Sequence, residues 1–149
     1  MTLSAAGTCV LGLDVGDRRV GVAVSDATGT RAMPLLTLQR KTLRHDLRFL
    51  ARLAKKYSCA ELVVGHPLHL SGDISPQALK AQAFAAALQE ESAIPVRLWD
   101  ERLSTAEAHR HLGATGLPPK ARRAVIDQVS AVLILQGYLD ARATAAAPP

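Results

Sequence analysis

The feature that most constrains the fold is a pair of Val-rich apolar runs near the start of the chain, joined by a short polar segment. The first run covers residues 10–13 and the second covers residues 20–24. Apolar runs broken by Gly and Asp are typical of a β-hairpin. Asp14 directly follows the first run, so its carboxylate is fixed by buried neighbours where a strand leaves the core. It is either a turn-forming residue, as Asp commonly is, or a functional acid.

Length and charge narrow the class of protein. The chain has 149 residues, which predicts one domain with its own core. Its formal net charge of +5 favours an anionic partner, with nucleic acid ahead of a membrane, although a generally basic soluble protein is the alternative. The sequence shows neither a signal peptide nor an apolar run of about 20 residues, which predicts a cytoplasmic protein without a membrane partner. The isolated Cys9 and Cys59 fit buried thiols of a reducing compartment.

The order of predicted elements indicates an α/β fold. The hairpin and a third strand over residues 30–38 form a meander, in which Pro34 marks the third strand as an edge or bulged strand. We expect residues 1–8 to be flexible, residues 9–141 to form a single domain and residues 142–149 to be a disordered tail. Further strands are predicted at 61–65 and 96–99, and helices at 43–57, 78–90, 104–111 and 122–141.

The helix predicted over residues 43–57 is amphipathic, because its apolar residues recur with the i, i+4, i+7 spacing. A basic stripe lies about a third of a turn away from the apolar one. This stripe is either a solvated outer face or a surface that meets phosphates. Its members are Arg44, Arg48, Arg52 and Lys55.

Acidic residues at the ends of apolar elements are the candidates for chemistry. Asp14 follows the first strand, and Asp100 and Glu101 follow the strand at 96–99. Asp127 lies within or near the start of the last, largely apolar helix. An ionised carboxylate in apolar surroundings costs several kcal/mol unless it is paired or bound to a metal. Asp127 is therefore either a helix N-cap or a metal ligand.

Four blocks of sequence, at 10–25, 63–72, 98–105 and 126–136, combine these acids with Gly, Arg and Ser in a fixed order. In this order they resemble the YqgF/RuvX family of Holliday-junction resolvases and pre-ribosomal-RNA nucleases. The resemblance spans about residues 10–140. It implies an RNase H-like fold, in which an antiparallel three-stranded meander plus parallel strands form a mixed five-stranded sheet flanked by helices.

The resemblance implies a nuclease whose catalytic and metal-binding triad is Asp14, Glu101 and Asp127. Asp14 matches the acid of a D-x-G-x-x-R-x-G motif, Glu101 matches that of a D-E-R-x-[ST] motif, and Asp127 opens the C-terminal helix motif. Such hard oxygen ligands suit Mg²⁺ or Mn²⁺, and two ions ~4 Å apart can activate water and stabilise the leaving oxygen. Asp100 either adds a ligand or only orients its neighbours.

Basic and polar residues of the same motifs are candidate substrate contacts. Arg19 and Arg102 are candidate phosphate clamps, because a guanidinium fork matches phosphate oxygens. The alternative for each is an ion pair with a neighbouring carboxylate. His69 stands where the family often has Asn and is a phosphate contact or a loop residue; with only His66 nearby, zinc is disfavoured. A cluster just before Asp127 would hold the nucleic-acid backbone: Lys120, Arg122 and Arg123.

Several functions fit these features. The leading interpretation is processing of the 5′ end of pre-16S rRNA in ribosome biogenesis, and the alternatives are a Holliday junction resolvase acting on branched DNA and a non-catalytic nucleic-acid-binding module. Actin-like ATPases and sugar kinases also open with a Gly-containing hairpin that bears an Asp, but 149 residues supply only one of the two lobes they need. Both a monomer and a homodimer are compatible with the sequence, and junction resolution requires the dimer.

Overall fold

The structure is a computed structural model that describes residues 8–68, 71–101 and 119–146, without the side chains of residues 119–124 and 145–146. Five strands and three helices make up these parts of the chain. The strands are β1 (Cys9–Val15), β2 (Arg19–Ser25), β3 (Ala32–Gln39), β4 (Cys59–His66) and β5 (Val96–Asp100). The helices are α1 (Leu43–Lys56), α2 (Pro76–Ser92) and α3 (Pro119–Ala146).

The strands form one mixed sheet in the order β3-β2-β1-β4-β5. Strands β1, β2 and β3 pair antiparallel, whereas β4 pairs parallel with both β1 and β5. The predicted meander with added parallel strands is therefore confirmed. Pro34 lies on the edge strand, and the register of β2 and β3 shifts between Val22 and Ala23, opposite it. The missing N–H of proline explains both features.

Alternating side chains of the central strands build a core on each face of the sheet. In β1, Leu11 and Leu13 pack with α1 and α2, whereas Val10 packs with Leu135 and its neighbours on α3. Because β1 and β4 are covered on both faces, they read as continuous apolar runs rather than as an alternating pattern. The same alternation places the side chain of Asp14 on the α3 face of the sheet.

Helix boundaries follow local capping signals. The hydroxyl of Thr42 accepts a hydrogen bond from His45 N, and α1 begins where the apolar periodicity places it. Helix α2 begins two residues earlier than expected, at Pro76, because Ser75 caps it and proline is favourable in the first helical turn.

The last helix is longer than the sequence pattern indicates. It begins at Pro119 and continues to Ala146, so the prediction of a disordered tail from residue 142 is wrong for residues 142–146. Arg142 explains the extension, because its guanidinium donates to Glu61 Oε1 at 3.0 Å and to Gly29 O at 3.1 Å. The helix predicted at 104–111 and residues 1–7 lie outside the described residues. Within the described ranges, none of the helices is long and apolar enough to cross a membrane.

Candidate active site

Two of the three predicted acids lie where parallel strands end. Asp14 is the penultimate residue of β1, and Glu101 directly follows β5. Because β1, β4 and β5 run parallel, their carboxyl ends meet at the same edge of the sheet. Ligand sites of open α/β sheets commonly lie outside this edge. The sheet therefore brings together two acids that are far apart in the sequence.

A glycine lets the third acid approach them. Gly21 is paired with Asp14 across β1 and β2, and a Cβ at this position would overlap the main-chain carbonyl oxygen of Asp127. Any larger residue would push α3 away from the sheet, so the glycine fixes how closely the helix can pack. Asp127 is thereby held beside the end of β1.

A second glycine makes room for Glu101. A Cβ at Gly65, in β4, would lie 2.7 Å from Glu101 Oε2 and would also press on the side chain of Ile134 in α3. The Glu101 carboxylate therefore lies over β4, on the face that α3 covers. Strand alternation puts Asp14 on the same face. Gly21, in the motif of Asp14, and Gly65, in the second sequence block, thus leave the space that Asp127 and Glu101 occupy.

The electrostatics of this edge show that the acids are neighbours. Burial and, to a smaller extent, the negative charge of Asp127 raise the pKa of Asp14 to about 6. Burial likewise raises the pKa of Glu101 to about 7, with smaller contributions from the charges of Asp14 and then of Asp100. Asp14 therefore interacts with both of the other acids and lies at the centre of the group. We call Asp14, Glu101 and Asp127 the acidic cluster.

One basic residue offsets part of this negative charge. Arg19 Nε donates to Asp127 Oδ2 at 2.6 Å, and both side chains are about a quarter exposed. Of the two roles expected for Arg19, the structure displays the ion pair. The guanidinium of Arg19 can bind a phosphate oxygen in place of the Asp127 carboxylate, because the same guanidinium fork matches both groups.

The helix-capping hypothesis for Asp127 is wrong. Helix α3 begins at Pro119, and Asp127 lies about two turns further along it. A cap must precede the first turn, where main-chain N–H groups lack partners. The position of Asp127 near the edge of the sheet, and its pairing with Arg19, need another explanation.

The carboxylates of the acidic cluster are the type of ligand that suits a hard divalent cation. Carboxylate oxygens are the ligands that Mg²⁺ and Mn²⁺ prefer. The pKa values of Asp14 and Glu101 are raised by burial and by neighbouring negative charge, both of which a bound cation would offset. Among the described residues, no three His, Cys, Asp or Glu side chains are already close enough to hold a metal ion.

The remaining predicted contacts are only partly placed. His69 and Arg102 lie outside the described residues. We call Lys120, Arg122 and Arg123 the basic cluster. Their main chain lies in the first turns of α3, before Asp127, and their side chains are not among the described parts of the structure. Asp100 closes β5 opposite His66, whose Nε2 accepts a hydrogen bond from Gln82 Nε2 at 3.0 Å.

Sequence reasoning missed the residues that hold the turn between Asp14 and Arg19. Arg40 Nη1 donates to Gly16 O at 2.9 Å, and Arg40 Nε donates to Asp46 Oδ2 at 3.1 Å. Asp46 is fully buried at the start of α1. A single acid within a basic helix was the available signal, since a buried carboxylate needs partners.

Comparison with known proteins gives a consistent result. The family described as "RuvX: Holliday junction resolvase" matches residues 8–141. A protein of Moorella thermoacetica is 48% identical over 131 residues, which cover 88% of this chain and 94% of that protein. A protein of Syntrophomonas wolfei is 46% identical over 131 residues, with 88% and 93% covered. Both relatives carry the name pre-16S rRNA nuclease.

A solved structure supports the fold. The Thermus thermophilus RuvC structure in complex with a Holliday junction substrate superimposes with a TM-score of 0.59. It covers 95% of this chain and 99% of the RuvC chain at 15% sequence identity. At this identity the likeness concerns the fold alone, and it confirms the expected RNase H-like architecture.

Proposed function

Because the chain belongs to the RuvX family, we propose that it is a divalent-metal-dependent endonuclease that processes the 5′ end of pre-16S rRNA in the cytoplasm. The family membership expected from the four sequence blocks is confirmed, and with it the nuclease class. The names of the two relatives support the choice of substrate.

The observation that carries the proposal is the acidic cluster at the carboxyl edge of the parallel strands. Its two most buried members, Asp14 and Glu101, have pKa values raised to about 6 and about 7 by burial and by neighbouring charge. Strongly perturbed acids in such a position are characteristic of functional sites. A purely structural role would leave unexplained why three acids are packed beside one another.

Asp14, Glu101 and Asp127 would hold the metal, which when bound activates water and stabilises the leaving oxygen of a phosphodiester. Asp14 occupies the centre of the cluster, so its loss would affect every coordinated ion. Arg19 neutralises Asp127 in the free protein and would turn to a phosphate oxygen of the substrate. Gly21 and Gly65 keep α3 and Glu101 close enough for the three acids to act together.

The other motif residues would contact the substrate backbone. Arg102 and His69, which follow β5 and β4 in the sequence, are proposed phosphate contacts. The basic cluster of Lys120, Arg122 and Arg123 would hold the strand that approaches Asp127. These contacts read the backbone rather than the bases, so sequence preference would come from the shape of the substrate.

A second candidate is resolution of Holliday junctions. The description of the matched family favours it. Branched DNA presents the same phosphodiesters to the acidic cluster, but two paired cuts require a symmetric homodimer. One 5′ cut in a ribosomal precursor can be made by a monomer.

The test compares both substrates under the same conditions. The wild-type protein is incubated with a pre-16S RNA that contains the 5′ leader and with a four-way DNA junction, in Mg²⁺ and in Mn²⁺. We expect a discrete cut in the RNA that Glu101→Gln abolishes. Selective, symmetrical cutting of the junction would replace the RNA proposal with resolvase activity. Binding without cleavage of either substrate would leave a non-catalytic binding module.

The basic cluster has its own test. Replacing Lys120, Arg122 and Arg123 together with Gln should weaken RNA binding and reduce the slope of log K against log salt concentration by up to about three, because each lost phosphate contact removes about one unit. An unchanged slope would assign these residues to a solvated helix surface.

A further inference from the structure

Helix α1 carries an exposed basic stripe that the proposed site does not use. Its four side chains fall within about 80° of the helix circumference and extend ~16 Å along its axis, at about 1.5 Å and 100° per residue. All four are exposed on the side of the sheet opposite α3. They are Arg44, Arg48, Arg52 and Lys55, and we call them the α1 stripe.

The charge of the α1 stripe is not balanced by the protein. Within the described part of the chain, none of its four side chains forms an ion pair. The one acid of α1, Asp46, is buried and accepts hydrogen bonds from Arg40 Nε, Lys41 N and the His45 ring. These partners saturate Asp46, so it leaves the stripe free to attract an external anion.

The α1 stripe begins close to the edge of the sheet that carries the acidic cluster. Just before α1, Arg40 N donates to Arg18 O and Arg40 Nη1 donates to Gly16 O, in the turn that follows Asp14. Leu43 lines a cavity of about 290 Å³ together with this turn. The far end of α1 leads through Ser58 into the start of β4, at the opposite edge. The stripe therefore leads away from the proposed cleavage site.

A groove lies at the far end of the α1 stripe. Its volume is about 860 Å³, and it lies between the second half of α1 and the end of α2. Arg48, Arg52 and Lys55 line one side, and Glu91 is the acid that lines the other. Three cations against one carboxylate leave the groove positive. A concave positive surface concentrates polyanions and steers their approach.

We propose that the α1 stripe is a second nucleic-acid-binding surface, which holds the phosphate backbone of a segment flanking the cleavage site. This inference rests on the proposed nuclease function. Helix α3 lies on the other face of the sheet, so a substrate that meets both the α1 stripe and the acidic cluster passes over the edge that carries Asp14. A short straight duplex reaches only one surface, whereas a folded or branched molecule reaches both. The arrangement therefore selects structured substrates without reading bases.

The test uses two doubly substituted proteins with the same loss of charge. Arg48→Gln/Arg52→Gln removes the centre of the α1 stripe. Arg31→Gln/Lys56→Gln is the matched control, because both residues are exposed and lie off the stripe, Lys56 on the same helix. Binding to the long pre-16S RNA is measured against salt, and cleavage is measured on that RNA and on a short RNA that contains only the cut site. Equal melting temperatures confirm that both variants fold.

We expect the stripe variant to bind the long RNA roughly tenfold more weakly than the control variant, with a salt slope lower by about two. Cleavage of the short RNA should be the same in both variants. Equal binding of the long RNA by the two variants would overturn the proposal, as would an equal loss on the long and short RNAs. If wild type binds the long RNA without cutting it, the nuclease proposal fails while the binding comparison still decides the role of the stripe.

Discussion

Glu61 and the acidic cluster both lie against α3, but their electrostatic surroundings are opposite. Near the end of the helix, Glu61 accepts hydrogen bonds from Tyr138 Oη at 2.6 Å, Arg142 Nη1 at 3.0 Å and Arg97 Nε at 3.2 Å. Towards the other end of α3, burial and the charge of Asp127 raise the pKa of Asp14, and burial and the charges of Asp14 and Asp100 raise that of Glu101. Glu61 is surrounded by hydrogen-bond donors, whereas Asp14 and Glu101 face other negative charges.

The difference separates structural acids from functional ones better than burial does. Glu61 is as shielded as the acids of the cluster, yet its partners are all supplied by the chain and fasten α3 to β4 and β5. Among the described residues, Arg19 pairs with Asp127, while Asp14 and Glu101 face neighbouring negative charge. An incompletely balanced group of acids invites a cation or a substrate from outside the chain.

Removing the central acid should abolish cleavage and spare the fold. Asp14→Asn keeps the shape of the side chain and removes a charge that is unfavourable where it is buried. We expect single-turnover cleavage to fall by about a thousandfold or more, since metal placement controls both nucleophile and leaving group. The metal-free melting temperature at pH 8 should be unchanged or higher. Cleavage within tenfold of wild type would remove Asp14 from the catalytic set.

Crowding the contact between α3 and β2 should damage the site more than the fold. Gly21→Ala places a methyl group against the main-chain carbonyl of Asp127, so the helix must shift. A displacement of about 1 Å costs roughly a hundredfold in rate, and overpacking costs about 1–3 kcal/mol in stability.

Gly137→Ala is the matched control, because its added methyl group meets the Trp99 side chain, far along α3 from Asp127. Cleavage rates and urea unfolding of both variants provide the comparison. An equal loss of activity in the two variants would show that Gly21 has no special role.

The structural carboxylate should show the reverse pattern. Glu61→Gln removes the charge that Arg97 and Arg142 share, and should lower the free energy of unfolding by about 2 kcal/mol, a value typical of hydrogen bonds to charged groups. Cleavage per folded molecule should stay within twofold of wild type. Denaturant unfolding measures the stability, and single-turnover kinetics measure the cleavage rate. A large loss of rate without destabilisation would show that Glu61 is not a purely structural acid.

The acidic cluster should also leave a signature in the pH dependence of stability. Asp14 and Glu101 have folded-state pKa values of about 6 and about 7, above their ordinary values of 3.8 and 4.5. Their contribution to stability is therefore fully present below about pH 4 and is lost as the pH rises through about 6 to 7.

The measurement compares melting temperatures of metal-free wild type and of Asp14→Asn/Glu101→Gln. The neutral variant should gain on the order of ten degrees on wild type between pH 4.5 and pH 7.5, because one unit of pKa shift corresponds to about 1.4 kcal/mol and each kcal/mol to about 2–4 °C. A constant difference across this range would show that the two acids titrate normally.

The sequence predicted much of the fold because the signals were local or periodic. The paired Val runs gave β1 and β2, Pro34 marked the edge strand, and the i, i+4, i+7 spacing gave α1. The end of α3 was missed because a contact distant in sequence extends it. Arg142 reaches Glu61, 81 residues away, and no pattern of neighbouring residues reveals such a pairing.

The site could be predicted in composition but not in arrangement. The motifs identified Asp14, Glu101 and Asp127, yet Asp127 had a plausible alternative as a cap that only the helix boundary removed. Arg40 and Asp46 belong to no recognised motif, although they hold the turn after Asp14. The roles of Gly21 and Gly65 depend on what packs over them, which is set by the last helix of the chain.

The contact between Arg19 and Asp127 also has a consequence for the order of folding. These residues are 108 positions apart, so their meeting closes one of the longest loops in the molecule. Long loops close late in folding, because their ordering entropy must be offset by contacts already made. The hairpin at Asp14 can form early, while the third acid arrives only when α3 docks. A half-folded chain would thus expose basic surface to nucleic acid yet lack the means to cut it, and cleavage competence would mature last.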